Sequence, residues 1–276
     1  MSRPPLTEYT VQLLYLTQPV VDREGLLQTL RRRRRTDETR RGETETQLTF
    51  AFPEVRVRLD SGLVCAACSL SARPPRSTDL ATALHQSWSW PGARNVVPNC
   101  TGLLEMVDLL GHRIPYRQRL ALLYDVVDAI LEAVPLCVAI HWKPAGHLVL
   151  PAEYLRVRKE SRRLGAYPAV NVRMFQTGTA DHREISMDTL GLGAIGLRDL
   201  QATLVGRDPS TLARVLFTTA QYLVDHGDVL KDGQKVQGER REERWVCRER
   251  LSLIEPQRAV VELIPDNPVE TTAASR

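Results

Sequence analysis

The stretch Tyr116-Arg-Gln-Arg-Leu-Ala-Leu-Leu-Tyr-Asp-Val-Val-Asp-Ala-Ile-Leu-Glu-Ala-Val134 sets the frame for the rest of the chain. Leu120, Leu123, Tyr124, Val127, Ile130, Leu131 and Val134 recur at steps of three and four residues. That spacing puts them on one side of an α-helix and predicts a buried face. Pro135 stops the helix. Leu136–Trp142 is then a continuous apolar run, the pattern of a central strand covered on both faces.

Before this helix the sequence reads mainly as strand. Tyr9–Leu16 is apolar on both faces, and Asp22 caps a short helix that carries Leu26, Leu27 and Leu30. Gln47–Phe52, Glu54–Leu59 and Leu63–Leu70 read as strands, with a turn at Asp60-Ser-Gly62. Thr78 is expected to cap a helix near Asp79–Leu84, His85–Trp90 to be extended, and Thr101–Leu110 to begin as strand. Pro151–Arg163 reads as a helix with proline in its first turn.

Gly165-Ala-Tyr-Pro168 is the expected boundary between two lobes. Beyond it, Ala169–Gln176, Glu184–Thr189 and Leu197–Val205 read as strands. Asp208 and Pro209 open a second long helix, with Leu212, Val215, Leu216, Thr219 and Leu223 on its inner side and Gly227 at its end. Glu243–Arg248 and Arg258–Ile264 close the series as strands. The expected fold class is α+β, with mostly antiparallel sheet in two lobes, each covered by a long amphipathic helix. The expected domains are 1–164, containing a basic and polar loop at 31–46, then 165–265, then a flexible tail at 266–276.

The chain has 276 residues, 43% hydrophobic and 25% charged, enough to bury a core without disulfides or a structural metal. Aromatics are only 5%, so Leu, Val, Ile and Ala must fill it. The formal charge of +4 is local: Arg23–Arg41 holds eight arginines against Glu24, Asp37 and Glu38. Five cysteines form no disulfide framework. With no apolar leader and no run of the ~20 apolar residues that a membrane helix needs, a cytoplasmic setting without membrane contact is expected.

Several blocks carry a family likeness: Thr101–Leu120, Ala139-Ile-His-Trp-Lys-Pro-Ala145, Leu150-Pro-Ala-Glu-Tyr-Leu155, Met187–Gln201, Ala220–Gly233 and Val236-Gln-Gly238. Together they resemble the bacterial family called domain of unknown function 4261, over about Tyr9 to Ile264. The arginine block has no counterpart in that likeness. The resemblance implies a bacterial, cytoplasmic α+β protein and supplies no reaction.

Gly191-x-Gly193-x-x-Gly196 has the spacing of a dinucleotide fingerprint, but that motif needs a helix to open at it. Here a strand is expected to follow, so the glycines are read as a tight turn in which at least one has positive φ and none faces a phosphate. Cys65-x-x-Cys68 lacks the further ligands of a zinc site and reads as core thiols. Neither a metal nor another cofactor is expected. His85, Trp88, His141, Trp142 and Asp188 are the candidates for a polar pocket, with histidine as acid, base or ligand. Arg31, Arg32, Arg33, Arg34 and Arg35 are the candidate anion contact, or else a solvated helix end whose charge suits the helix dipole.

No nucleophile is marked by spacing. The leading expectation is a non-enzymatic binding or interaction protein whose partner is another protein. One alternative is an enzyme or small-ligand binder using the His85, His141 and Trp142 pocket. Another is a nucleic-acid binder using the arginine segment.

Overall fold

The computed structural model describes residues 8–39, 47–161, 164–178, 183–205 and 208–266. The chain divides into two compact units between Ala169 and Val170.

The first unit runs β1 (Thr10–Tyr15), α1 (Arg23–Arg33), β2 (Asp37–Thr39), β3 (Gln47–Leu59), β4 (Gly62–Arg73), α2 (Ser77–His85), α3 (Ala93–Val96), β5 (Gly102–Leu109), α4 (Tyr116–Ala133), β6 (Cys137–Trp142), β7 (His147–Val149) and α5 (Pro151–Glu160). Its strands form one antiparallel sheet in the order β2-β3-β4-β5-β1-β6-β7. Paired residues share a face. Val11, Met106 and Trp142 lie on the α4 side, where Trp142 meets the rings of Tyr9, Tyr124 and Tyr154 edge-on or tilted. Leu14, Leu103, Ala139 and Leu148 lie on the other side, under Leu80, Ala83, Ala93 and Val97.

α4 follows its periodicity: Leu120, Leu123, Tyr124, Val127 and Ile130 are buried. Leu123→Ala or Ile130→Ala should therefore cost about 2–5 kcal/mol, the range for deleting a buried branched side chain. Denaturant unfolding measures it, and a loss under ~0.5 kcal/mol at both positions would mean that the buried face is misassigned.

Below this face lies a buried ion pair. Arg119 on α4 donates from Nε to Oδ2 of Asp108 at 2.6 Å and from Nη2 to Oδ1 at 3.1 Å. The Tyr9 backbone N–H also donates to Asp108 Oδ1. A Cβ added at Gly111 would stand 1.8 Å from Asp108 Oδ2 and 2.9 Å from Arg119 Nε, so only glycine leaves room for the pair.

The last residues of this unit are fastened by side chains. Tyr124 Oη lies within hydrogen-bond distance of the Gly165 and Tyr167 carbonyls, at 2.8 and 3.0 Å. Tyr9 Oη donates to the Ala169 carbonyl at 3.3 Å, and His147 Nδ1 lies 3.1 Å from the Pro168 carbonyl. A carbonyl can only accept, so Nδ1 carries the proton. Burial holds the His147 pKa down to about 4, against the weaker upward pull of that hydrogen bond. The unfolded chain takes up this proton near 6.5 and the native state resists until about 4, so stability falls as pH drops through that window, by about 1.4 kcal/mol per unit. His147→Gln keeps a donor without titrating, and its stability should decline less steeply between pH 7 and 4.5 in urea titrations. Equal slopes would refute the assignment.

The second unit runs β8 (Asn171–Gly178), β9 (Arg183–Leu190), β10 (Asp199–Val205), α6 (Pro209–His226), β11 (Lys235–Gln237), β12 (Arg244–Leu251) and β13 (Ala259–Pro265). Its sheet has the order β11-β12-β13-β10-β9-β8, and only the β10–β13 pairing is parallel. Asp208 caps α6 by accepting from the Ser210 N–H, and Gly227 ends it with φ of 88°. The predicted inner face of α6 is buried, and the helix packs on β8, β9 and β10.

Each unit is thus α+β, mostly antiparallel, with a long helix on its sheet, as the sequence implies. Some details differ. The two strands expected at 47–59 are one, because Pro53 falls where the pairing shifts between Phe52 and Arg56 and no ladder hydrogen bond is asked of it. His85–Trp90 is not extended: His85 ends α2, and Trp90 donates to the Ser87 carbonyl in a turn. The helix expected near Asp79–Leu84 behind Thr78 begins at Ser77, with Arg76 at the N-cap position. Within the expected 31–46 loop, Asp37–Thr39 pairs with β3, while 40–46 and the tail from 267 lie outside the described residues. No described helix is long and apolar enough to cross a membrane.

Candidate functional site

The most elaborate polar arrangement in the second unit lies where β9 turns into β10. Gly191 and Gly196 have φ of 123° and 89°, values open to glycine at little cost. Between them Gly193–Ile195 makes one turn of 3₁₀ helix. A strand follows, not a helix, as the sequence predicts. The turn's amides still cradle an anion, and that anion belongs to the chain. Asp199 accepts from the N–H groups of Leu192 and Gly193 at 3.1 and 3.3 Å and from the Thr189 hydroxyl at 3.1 Å. The same hydroxyl accepts from the Leu200 N–H at 2.8 Å.

Two arginines complete the cluster. Arg173 on β8 grips Asp188 on β9 with two bonds, Nε to Oδ1 at 2.9 Å and Nη2 to Oδ2 at 2.6 Å. Register makes this pair, since Arg173 and Asp188 stand opposite each other. Arg258 reaches in from the β12–β13 loop. Its Nε donates to Asp199 at 3.0 Å, its Nη2 to Asp188 and the Thr189 carbonyl at 2.8 Å each, and its Nη1 to the Ile254 and Pro256 carbonyls at 3.3 and 2.9 Å. A guanidinium has five N–H donors, and here five acceptors meet them.

Asp188, Asp199 and Arg173 are all buried. Burial and the Asp188 carboxylate push the Asp199 acid up, while Arg258, the Thr189 hydroxyl and the Gly193 amide oppose that rise. Burial would lower Arg258, but the two carboxylates outweigh it and hold the guanidinium above its ordinary value.

The cluster fastens residues 252–258 to the sheet. Arg173 Nη1 donates to the Glu255 carbonyl at 3.0 Å, and the Leu253 N–H donates to Gln201 Oε1 at 3.0 Å. Within the loop, Ser252 N–H donates to the Arg258 carbonyl, and the Ser252 hydroxyl accepts from the Arg258 N–H. Leu251 and Leu253 are left 52% and 59% exposed at one end of this fixed segment.

The residues anticipated from sequence are placed differently. Asp188 is in the cluster, in the second unit; His85, Trp88, His141 and Trp142 belong to the first. His85 is exposed at the end of α2, and Trp88 is exposed in the turn beyond it. His141 and Trp142 are consecutive on β6, so they face opposite sides of the sheet. His141 Nδ1 lies 2.8 Å from Gln12 Oε1, Gln12 Nε2 donates to Glu105, and Arg73 pairs with Glu105 at 2.7 Å. The two do not line one pocket.

The arginine block is largely engaged by its own unit. Arg32 and Arg33 pair with Glu132 at 2.6 and 2.7 Å, and Arg34 pairs with Asp125 and Glu54 at 2.7 and 2.9 Å. Arg31 donates to the Thr36 carbonyl, and Arg35 is exposed. The segment ties α1 to α4. Cys65 and Cys68 sit three apart on β4, so their side chains take opposite faces. Burial, with Asp108 adding to it, pushes the Cys68 thiol up to about 12. Among the described residues, no group of three His, Cys, Asp or Glu is arranged to hold a metal ion.

The second unit is thus an α+β module built around an internal charge cluster. Residues 188–264 match the family model described as Domain of unknown function (DUF4261), so the resemblance read from the sequence holds over this stretch. The match encloses Asp188, Thr189, Asp199 and Arg258 and leaves out Arg173. No curated protein and no solved structure gives a significant match.

Proposed function

We propose that the second unit is a binding module that contacts another protein through Leu251 and Leu253, and that the buried cluster holds those residues in place. The observation behind this reading is the presentation of two large, exposed apolar side chains on a segment fixed by the cluster. Single exposed leucines are ordinary. Two on ordered backbone, one at the end of β12 and one on the fixed loop, lower the ordering cost of association, because little freedom remains to be lost on binding.

The geometry favours a structural role for the ions. Arg258 has a partner for every N–H, and both carboxylates are gripped by guanidinium groups beneath the loop. The test compares wild type with Leu251→Asp/Leu253→Asp as immobilised baits in an extract of the native cell. A protein retained by the wild type and lost from the variant, at matching melting temperatures of the two baits, is the expected result. Equal retention by both would end this reading.

A further inference from the structure

We infer that the partner of this loop is an acidic protein segment carrying apolar side chains, a reading that rests on the binding role proposed above. The argument comes from how β12 sorts its charges. The strand contains Arg244, Arg248, Glu249 and Arg250. Period-two alternation sends the three arginines to one face of the sheet, while Trp245 and Cys247 are buried on the other. Glu249 also faces away from the arginines and is held by Arg198 at 2.6 Å. On β11, Lys235 stands opposite Val246 and joins the arginine face.

The carboxylate rooted on that face in β13 is Glu262, 3.6 Å from Arg250. Asp232 reaches Arg248 at 3.1 Å and Asp266 reaches Lys235, both from outside the strands. The pairs of Asp232 and Asp266 are exposed. Such pairs contribute little to stability, so a partner's carboxylates can replace them at small cost. Arg244 donates to the Arg241 and Glu243 carbonyls. Val246 and Ile264 stand opposite each other among these cations, and Ile264 is exposed. Leu251 alternates to the other face with Glu249, while Leu253 lies on the loop held to Gln201, which pairs with Glu262 of the arginine face. A basic face with interspersed aliphatic residues complements an acidic, apolar protein surface. A nucleic acid strand would want aromatic side chains for its bases, and the tryptophan of this strand points the other way.

The probe is a fluorescein-labelled random copolymer of glutamate and tyrosine, measured by anisotropy against the full chain. Polyglutamate and a duplex DNA of equal charge are the comparators. The copolymer should bind more tightly than polyglutamate, and added salt should weaken it. Arg248→Ala/Arg250→Ala should lower its affinity about five-fold or more. Arg56→Ala/Arg58→Ala, which removes the same charge from the exposed surface of β3, should leave it unchanged. Leu253→Asp should bring the copolymer down to the polyglutamate level. Tighter binding of the duplex, no binding of the copolymer at low salt, or equal losses in the two arginine pairs would overturn the inference. Equal retention of native partners by wild type and Leu251→Asp/Leu253→Asp would instead end the binding role itself. A native partner lost with Leu251→Asp/Leu253→Asp but kept by Arg248→Ala/Arg250→Ala removes only the acidic partner.

Discussion

Arg258→Ala is expected to destabilise the second unit by about 3–5 kcal/mol, the cost of removing one partner from a buried charge network. The alanine deletes five hydrogen bonds at once and leaves Asp188 and Asp199 facing each other, with only Arg173 to offset two negative charges. Arg258→Lys should restore only part of the loss, since an ammonium has three donors on one atom and cannot span both carboxylates and two loop carbonyls. The pH dependence follows with its sign. Burial already pushes the Asp199 acid up and Arg258 opposes that rise, so without the guanidinium Asp199 stands further above its unfolded value and the native state binds more protons than the unfolded chain. The variant should therefore recover stability relative to wild type as pH falls from 7 toward the unfolded Asp value of about 3.9. Urea unfolding of the three proteins at both ends of that range decides it. A loss under ~1 kcal/mol at neutral pH, or no recovery in acid, would show that the cluster is not a pair of ionised acids held by Arg258.

The second large effect belongs to the first unit. Arg119→Met is expected to cost about 3–5 kcal/mol, although methionine fills much of the same space. Asp108 would keep one backbone N–H and lose both guanidinium bonds while still buried. Arg119→Met/Asp108→Asn should cost less than Arg119→Met alone, because an amide is cheaper to bury than a carboxylate. Gly111→Ala tests the same pair from outside it, since the new methyl group must displace Asp108. Its cost should shrink in the Asp108→Ala background, where the obstructing carboxylate is gone. Equal effects of Gly111→Ala in both backgrounds would place its strain elsewhere.

The long elements were legible because their periodicity repeats several times. α4 and α6 lie within a residue of the sequence reading, and the α6 face is the predicted one. β2, β7 and β11 were not, since three residues hold too little alternation to stand out. Residues 85–90 read as extended, but the backbone closes successive turns there. The glycine turn was readable from what must follow it. Its occupant was not, because Asp199 is an ordinary position in a strand until Arg258, 59 residues later, folds back onto it. Arg173 and Asp188 alternate correctly with their apolar neighbours, yet nothing local says that they face each other. His141 and Trp142 misled for a related reason: adjacency in a strand means opposite faces.

The fastening of residues 165–169 bears on how the protein is made. The hydroxyl of Tyr9 is synthesised 160 positions before its acceptor at Ala169. Tyr124 and His147 wait for carbonyls of the same short segment. On a ribosome the first unit can collapse early, but it cannot close until this segment has left the exit tunnel. A gene fragment cut at 164 would encode every described strand and helix of the first unit but none of the carbonyls that Tyr9, Tyr124 and His147 meet at 165–169. The natural place to divide the gene is after codon 169.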